Sequence, residues 1–230
     1  MNTYVWCEDA GSGLTFWKML FDTLYRDYIV ESKKNNTELC KAIARIKSDE
    51  DDRYYVLMDN AIDNSDVLRE TQRLYHSIKD KSNVSVIRIH SFEFVLLSFQ
   101  MLEDWVFARE DDLKDARRNL LAFRKEFVDI ICNGGDAVRL SAMKEAASYS
   151  DKMNTEQISA KLLFEITRNT GFETTKGKLG DCFIVSCCEW KNRIPNDICG
   201  LDDQRLASDD KIKSIFDYSV LKESFAEAGL

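Results

Sequence analysis

The first apolar run, Thr3 to Cys7, is β-branched and aromatic and stops at Glu8-Asp9-Ala10-Gly11-Ser12-Gly13, a stretch rich in turn formers. Strand followed by loop is the reading. Phe16, Trp17, Leu20, Phe21, Leu24, Tyr25, Tyr28 and Ile29 then recur at three- and four-residue spacing, which predicts one amphipathic helix reaching Ile29. Residues 37–47 read as a second helix, leading through a connector of acids to Tyr54-Tyr55-Val56-Leu57-Met58. That run is nearly all apolar, as a strand covered on both faces must be, and it ends at Asp59-Asn60-Ala61-Ile62-Asp63-Asn64. A polar helix over 65–80 and a strand over 84–89 complete the order β-α-α-β-α-β, which predicts right-handed crossovers and a mostly parallel sheet.

From Ser91 the pattern turns helical and stays so, with breaks, to about residue 148. Asn154-Thr155-Glu156-Gln157 has the form of a capping box opening a helix to about Arg168. Gly171, Gly177 and Gly180 frame a short β element near 172–190, and a last helix is expected over 210–227. The fold class is therefore α/β: a mostly parallel sheet flanked by helices over residues 1–110, and a mainly helical extension with a small β element over 111–230, packed on the same core.

Composition narrows the class of protein. The 230 residues are 44% hydrophobic, enough apolar area to offset the entropy of folding, and the length suits one principal core. The longest apolar stretches, such as Phe94 to Leu97, fall far short of the roughly 20 residues that span a bilayer. The chain starts without a basic, apolar leader, and its seven dispersed cysteines do not form a disulfide framework, so a cytoplasmic protein with reduced thiols is expected. A net charge of −8 argues against a protein that grips long nucleic acid unaided, since such affinity comes from Lys and Arg on phosphates.

Ligands of open α/β sheets bind beyond the carboxyl ends of the strands, so Glu8, Asp9, Asp59 and Asp63 should gather on one rim. Asp and Asn also end strands as plain turn formers and caps. Glu does not, and Glu8 is the acid for which a functional role is the better reading. Hard divalent ions take oxygen ligands and need only one or two carboxylates besides water and phosphate oxygens.

Tyr4-Val5-Trp6-Cys7-Glu8 followed by a helix, and then Tyr55 through Asp63, resembles a TOPRIM domain, which places a Glu after its first strand and Asp-x-Asp after a later one. Ile89-His90-Ser91-Phe92-Glu93-Phe94-Val95-Leu96-Leu97 resembles a segment of the OLD-like members, where an acid opens the following helix. The resemblance covers about residues 1–110. It implies Mg²⁺- or Mn²⁺-dependent phosphodiester cleavage, often beside an ATPase in antiviral defence. It further implies Glu8 as general acid/base or metal ligand, Asp59 as metal ligand and Glu93 as a third acid. The family's second Asp falls at Ala61, which cannot bind metal, so that Asp63 either substitutes as a ligand or caps a helix.

Two phosphate sites were weighed beside the acids: the Gly11, Ser12 and Gly13 backbone at a helix N-terminus, against ordinary turn chemistry, and Lys176 and Lys178 in a glycine-punctuated loop, against a hairpin tip. The cysteines Cys182, Cys187, Cys188 and Cys199 lack the paired spacing of a zinc site and read as buried thiols. Three function classes follow: a Mg-dependent nuclease or nuclease-like effector, a non-catalytic subunit that uses the sheet to bind and regulate a protein partner, and a nucleotide-binding module built on the glycine loop.

Overall fold

The computed structural model describes residues 1–47, 51–107, 110–168, 170 and 207–230. The expected β element near 172–190, Lys176, Lys178 and the four cysteines from Cys182 to Cys199 lie outside these residues.

Four strands, β1 (Thr3–Cys7), β2 (Tyr28–Ser32), β3 (Arg53–Asp59) and β4 (Val84–Ile89), form an all-parallel sheet in the order β2-β1-β3-β4. Between them run α1 (Ser12–Leu24), α2 (Asn36–Ala44) and α3 (Ser65–Ile78), so the chain is α/β as the pattern predicts. The correction is β2. Tyr28 and Ile29 do not prolong the first helix, which stops at Leu24; Tyr28 to Ser32 pair in register with Thr3 to Cys7. Their spacing continues the helical stripe, but the β-branched and aromatic content of Tyr28, Ile29 and Val30 suits a pleated edge. Tyr28 stacks on Phe21 of α1 and on Tyr55 of β3, with ring centroids 5.8 Å apart in both pairs.

Alternate residues on each strand feed two cores. Val5, Cys7, Tyr55, Leu57, Ile87 and Ile89 face the larger one, while Val56, Met58 and Val84 face a smaller one closed by Leu39 and Ile43 of α2 and Leu74 of α3. This two-sided burial explains why β3 carries five buried residues in a row.

The larger core continues into the second half of the chain through α4 (Phe92–Ser98), α5 (Leu102–Phe107), α6 (Asp111–Ala116), α7 (Arg118–Cys132), α8 (Ala137–Ala146) and α9 (Thr155–Thr167). Residues of both halves thus share one apolar cluster. The capping box forms as expected: Asn154 accepts from the Gln157 amide at 2.8 Å, and the Gln157 side chain accepts from the Asn154 amide at 3.1 Å. The expected terminal helix is instead two, α10 (Ser208–Asp217) and α11 (Leu221–Glu227). The break is pinned to the end of α4, where Gln100 donates its N–H to the Tyr218 carbonyl and Val220 donates to Ser98 Oγ.

Arg124 on α7 is 6% exposed and fastens the strand-following helices in place. Its guanidinium donates to the carbonyls of Leu97 and Phe99, which α4 leaves unbonded at its end, and to Glu103 of α5 at 3.1 Å. Arg124→Ala strands those three acceptors away from water and should lower unfolding free energy by about 3 kcal/mol. Urea denaturation followed by circular dichroism measures it.

Candidate carboxylate site

The strand order reverses direction between β1 and β3: the chain leaves β1 toward β2 on one side, then crosses to β3 on the other. In sheets wound this way, the crevice at the carboxyl ends of the two central strands is the preferred ligand position. Glu8 and Asp9 follow β1 there, and Asp59 ends β3.

Glu8 reaches across to the neighbouring strand, where its Oε1 accepts the Asp59 backbone N–H at 3.2 Å. The Asn36 side chain, at the start of α2, also hydrogen-bonds Glu8. Asp9 is aimed by a different helix: Trp17 of α1, fully buried, donates its indole N–H to Asp9 Oδ2 at 2.6 Å. Gly13 makes room for this, because a Cβ there would stand 2.8 Å from Asp9 Oδ1. Gly11, at φ 61°, supplies the left-handed turn into α1. The glycines of the loop therefore seat an acid against the first turn of α1.

Glu93 sits in the first turn of α4, just after β4, on a helix capped by Ser91. A fifth acid, Glu156, comes from the first turn of α9 and is held by the Asn64 side-chain amide at 3.1 Å. These groups feel one another. Burial raises the Glu8 carboxyl from an ordinary 4.5 to about 7, with Asp9 and Glu156 adding to the rise. Asp59 is pushed well above the carboxylate range by burial and then by Glu8, Asp9, Glu93 and Glu156. Asp9 and Glu93 are also raised, burial again first. Among the described residues none of the five makes an ion pair.

Asp63 has another task. It accepts the Thr155 N–H at 2.8 Å and the Thr155 hydroxyl at 2.6 Å, so it caps the start of α9 from a distance of 92 residues in sequence, with Lys144 at 4.0 Å. Asn64 beside it caps α3. Ala61 is fully buried. The structure thus brings Glu8, Asp59 and Glu93 to one rim and holds Asp63 on α9. Among the described residues no three His, Cys, Asp or Glu side chains converge as a ready-made ligand set. Asp9 belongs to the expected rim, whereas Glu156 and Asn36 were not anticipated. Their positions depend on how α9 and α2 pack, and the capping signature around Glu156 accounts for an acid there without any further role.

His90 follows β4 and is 7% exposed, its ring edge-on to Phe94 at 5.1 Å. Burial lowers its pKa to about 4, so it is neutral at physiological pH. Neither ring nitrogen closes a well-formed hydrogen bond, although the backbone of Asn60 and Thr155 lies near enough to act on the ring's charge.

Compared with family models, with curated proteins and with solved structures, the chain matches none.

Two outcomes follow from this geometry. The native Glu8 carboxyl holds its proton more tightly than the unfolded one, so ionisation between pH 4.5 and about 7 favours unfolding. The metal-free protein should therefore melt at a lower temperature at pH 8 than at pH 5, and Glu8→Gln should reduce that difference in a calorimetric pH series. Asp63→Ala removes the tertiary cap of α9 and should cost about 1–2 kcal/mol in denaturant unfolding.

Proposed function

We propose that the chain is a divalent-metal-dependent phosphodiesterase acting on nucleic acid, with Glu8 and Asp59 as its principal acids. The observation that supports this most is the coupled, half-buried carboxylate group at the β1/β3 crevice, without a cation from the protein to balance it. Such an arrangement opposes folding when its members ionise, and a bound cation offsets the repulsion. The donors are hard oxygens, the chemistry Mg²⁺ or Mn²⁺ accepts, and one or two direct carboxylates with water and phosphate oxygens complete such a site. The resemblance of the first 110 residues to TOPRIM domains points the same way.

Glu8 and Asp59 would hold the metal, with Glu93 and Asp9 close by. Bound there, the metal would neutralise phosphate charge and lower the pKa of attacking water. Glu8, near neutrality in its titration, is suited to take a proton from water and return it to the leaving oxygen. The Asp59 N–H keeps its carboxyl turned to the crevice. Trp17 keeps Asp9 from swinging into solvent.

A second reading, a regulatory subunit that retains a degenerate sheet and docks on an ATPase or another defence component, is favoured by Ala61 and by the commitment of Asp63 to α9. The net charge of −8 suits either reading in which a partner helps to deliver nucleic acid.

Purified protein incubated with plasmid, single-stranded DNA and RNA should cleave at least one of them in Mg²⁺ or Mn²⁺ and none in EDTA. Glu8→Gln and Asp59→Asn should each lower the rate by about 10²-fold or more. Cleavage unaltered by Glu8→Gln removes the assignment, and inactivity in isolation with co-purification of a larger subunit favours the second reading.

A further inference from the structure

Next to Asp59 on the same rim opens a cleft of about 310 Å³, near the lower limit for small-molecule sites. It runs from the β3 and β4 ends to α7 and α11. Asn60, the residue after Asp59, lies on its border, and His90 is set into its wall among Ile62, Phe94 and Ile131. His90 is more than nine-tenths buried, and neither ring nitrogen has a hydrogen-bond partner of ordinary geometry. A buried polar group of this kind is rarely left unmatched. A neutral imidazole offers one donor and one acceptor, and the Asn60 amide offers both as well.

The charges at the mouth say what does not enter. Arg88 is paired with Glu227 at 3.7 Å, and Glu223 adds a further negative charge, so a phosphate is disfavoured. The occupant that fits is small and uncharged, apolar on its faces and edged with donors and acceptors. A nucleobase has this character, and its stacking against apolar side chains tolerates differences in sequence.

We propose that this cleft receives an unpaired nucleobase of the strand whose phosphate meets Glu8 and Asp59, which makes single-stranded or locally melted nucleic acid the substrate. The inference rests on the phosphodiesterase reading above. A base in a duplex has its edge paired and its faces stacked, so it enters such a cleft only once extruded.

The test is made in EDTA, where no cleavage intrudes. Adenosine, uridine and ribose 5-phosphate are titrated separately into the full chain and followed by saturation-transfer difference NMR and calorimetry. Nucleosides should bind saturably, with a dissociation constant on the order of 1 mM, and ribose 5-phosphate should bind at least tenfold more weakly. His90→Phe removes the polar edge while preserving bulk, and should weaken nucleoside binding at least tenfold. Cys132→Trp, at an exposed position lining the cleft, should do the same by filling it, and does not depend on the His90 variant remaining folded. Absence of saturable nucleoside binding, equal binding of ribose 5-phosphate, or binding indifferent to a folded Cys132→Trp protein overturns the proposal. A protein that cleaves nucleic acid but binds no nucleoside loses the cleft and keeps the phosphodiesterase; one that binds nucleosides at the cleft but never cleaves keeps the cleft and loses the phosphodiesterase.

Discussion

A carboxylate bonded to the backbone of the neighbouring strand, Glu8 to the Asp59 N–H, ties the two central strands together at the point where the sheet changes winding direction. The bond has an electrostatic consequence. It keeps Glu8 close to the Asp59 carboxyl, and burial withholds the water that would otherwise screen them. Three more acids arrive from α1's entry loop, α4 and α9, each positioned by a separate contact. The rim therefore carries charge that the fold tolerates only while some protons remain bound. Catalytic sites commonly accept this kind of local cost in exchange for pre-organisation.

Much of the architecture was legible in the chain because burial on both faces leaves a plain mark. The uninterrupted apolar run of β3 and the alternation in β1 and β4 identified three of the four strands. β2 escaped because an edge strand of five residues, with Tyr28 and Ile29 prolonging the α1 stripe, is indistinguishable by period alone from another helical turn. The division of 210–227 into two helices was hidden for a related reason. Nothing local breaks that pattern; the break comes from contacts with Ser98 and Gln100, more than a hundred residues away.

The site was legible to the extent that it follows strand ends. Glu8, Asp9 and Asp59 are set by topology, and the sheet places them together regardless of what surrounds it. Glu93 was reached only through a resemblance, and Glu156 not at all, because an acid in a helix's first turn is fully explained by capping and the helix dipole. Asp63 shows the opposite case. Its position two residues beyond Ala61 suggests a ligand, yet its oxygens are taken up by Thr155, a residue whose proximity no local pattern announces.

That clasp between Asp63 and Thr155 has a mechanical meaning. The loop leaving β3 is anchored at one end by the sheet and at the other by α9, and Asn60 and Ile62 within it form part of the wall of the cleft beside the acids. The helical half is accordingly a brace for the rim rather than an ornament behind it. Any force that rotates α9, such as a docking neighbour pressing on its outer face, is transmitted by a short lever to the residues flanking Asp59.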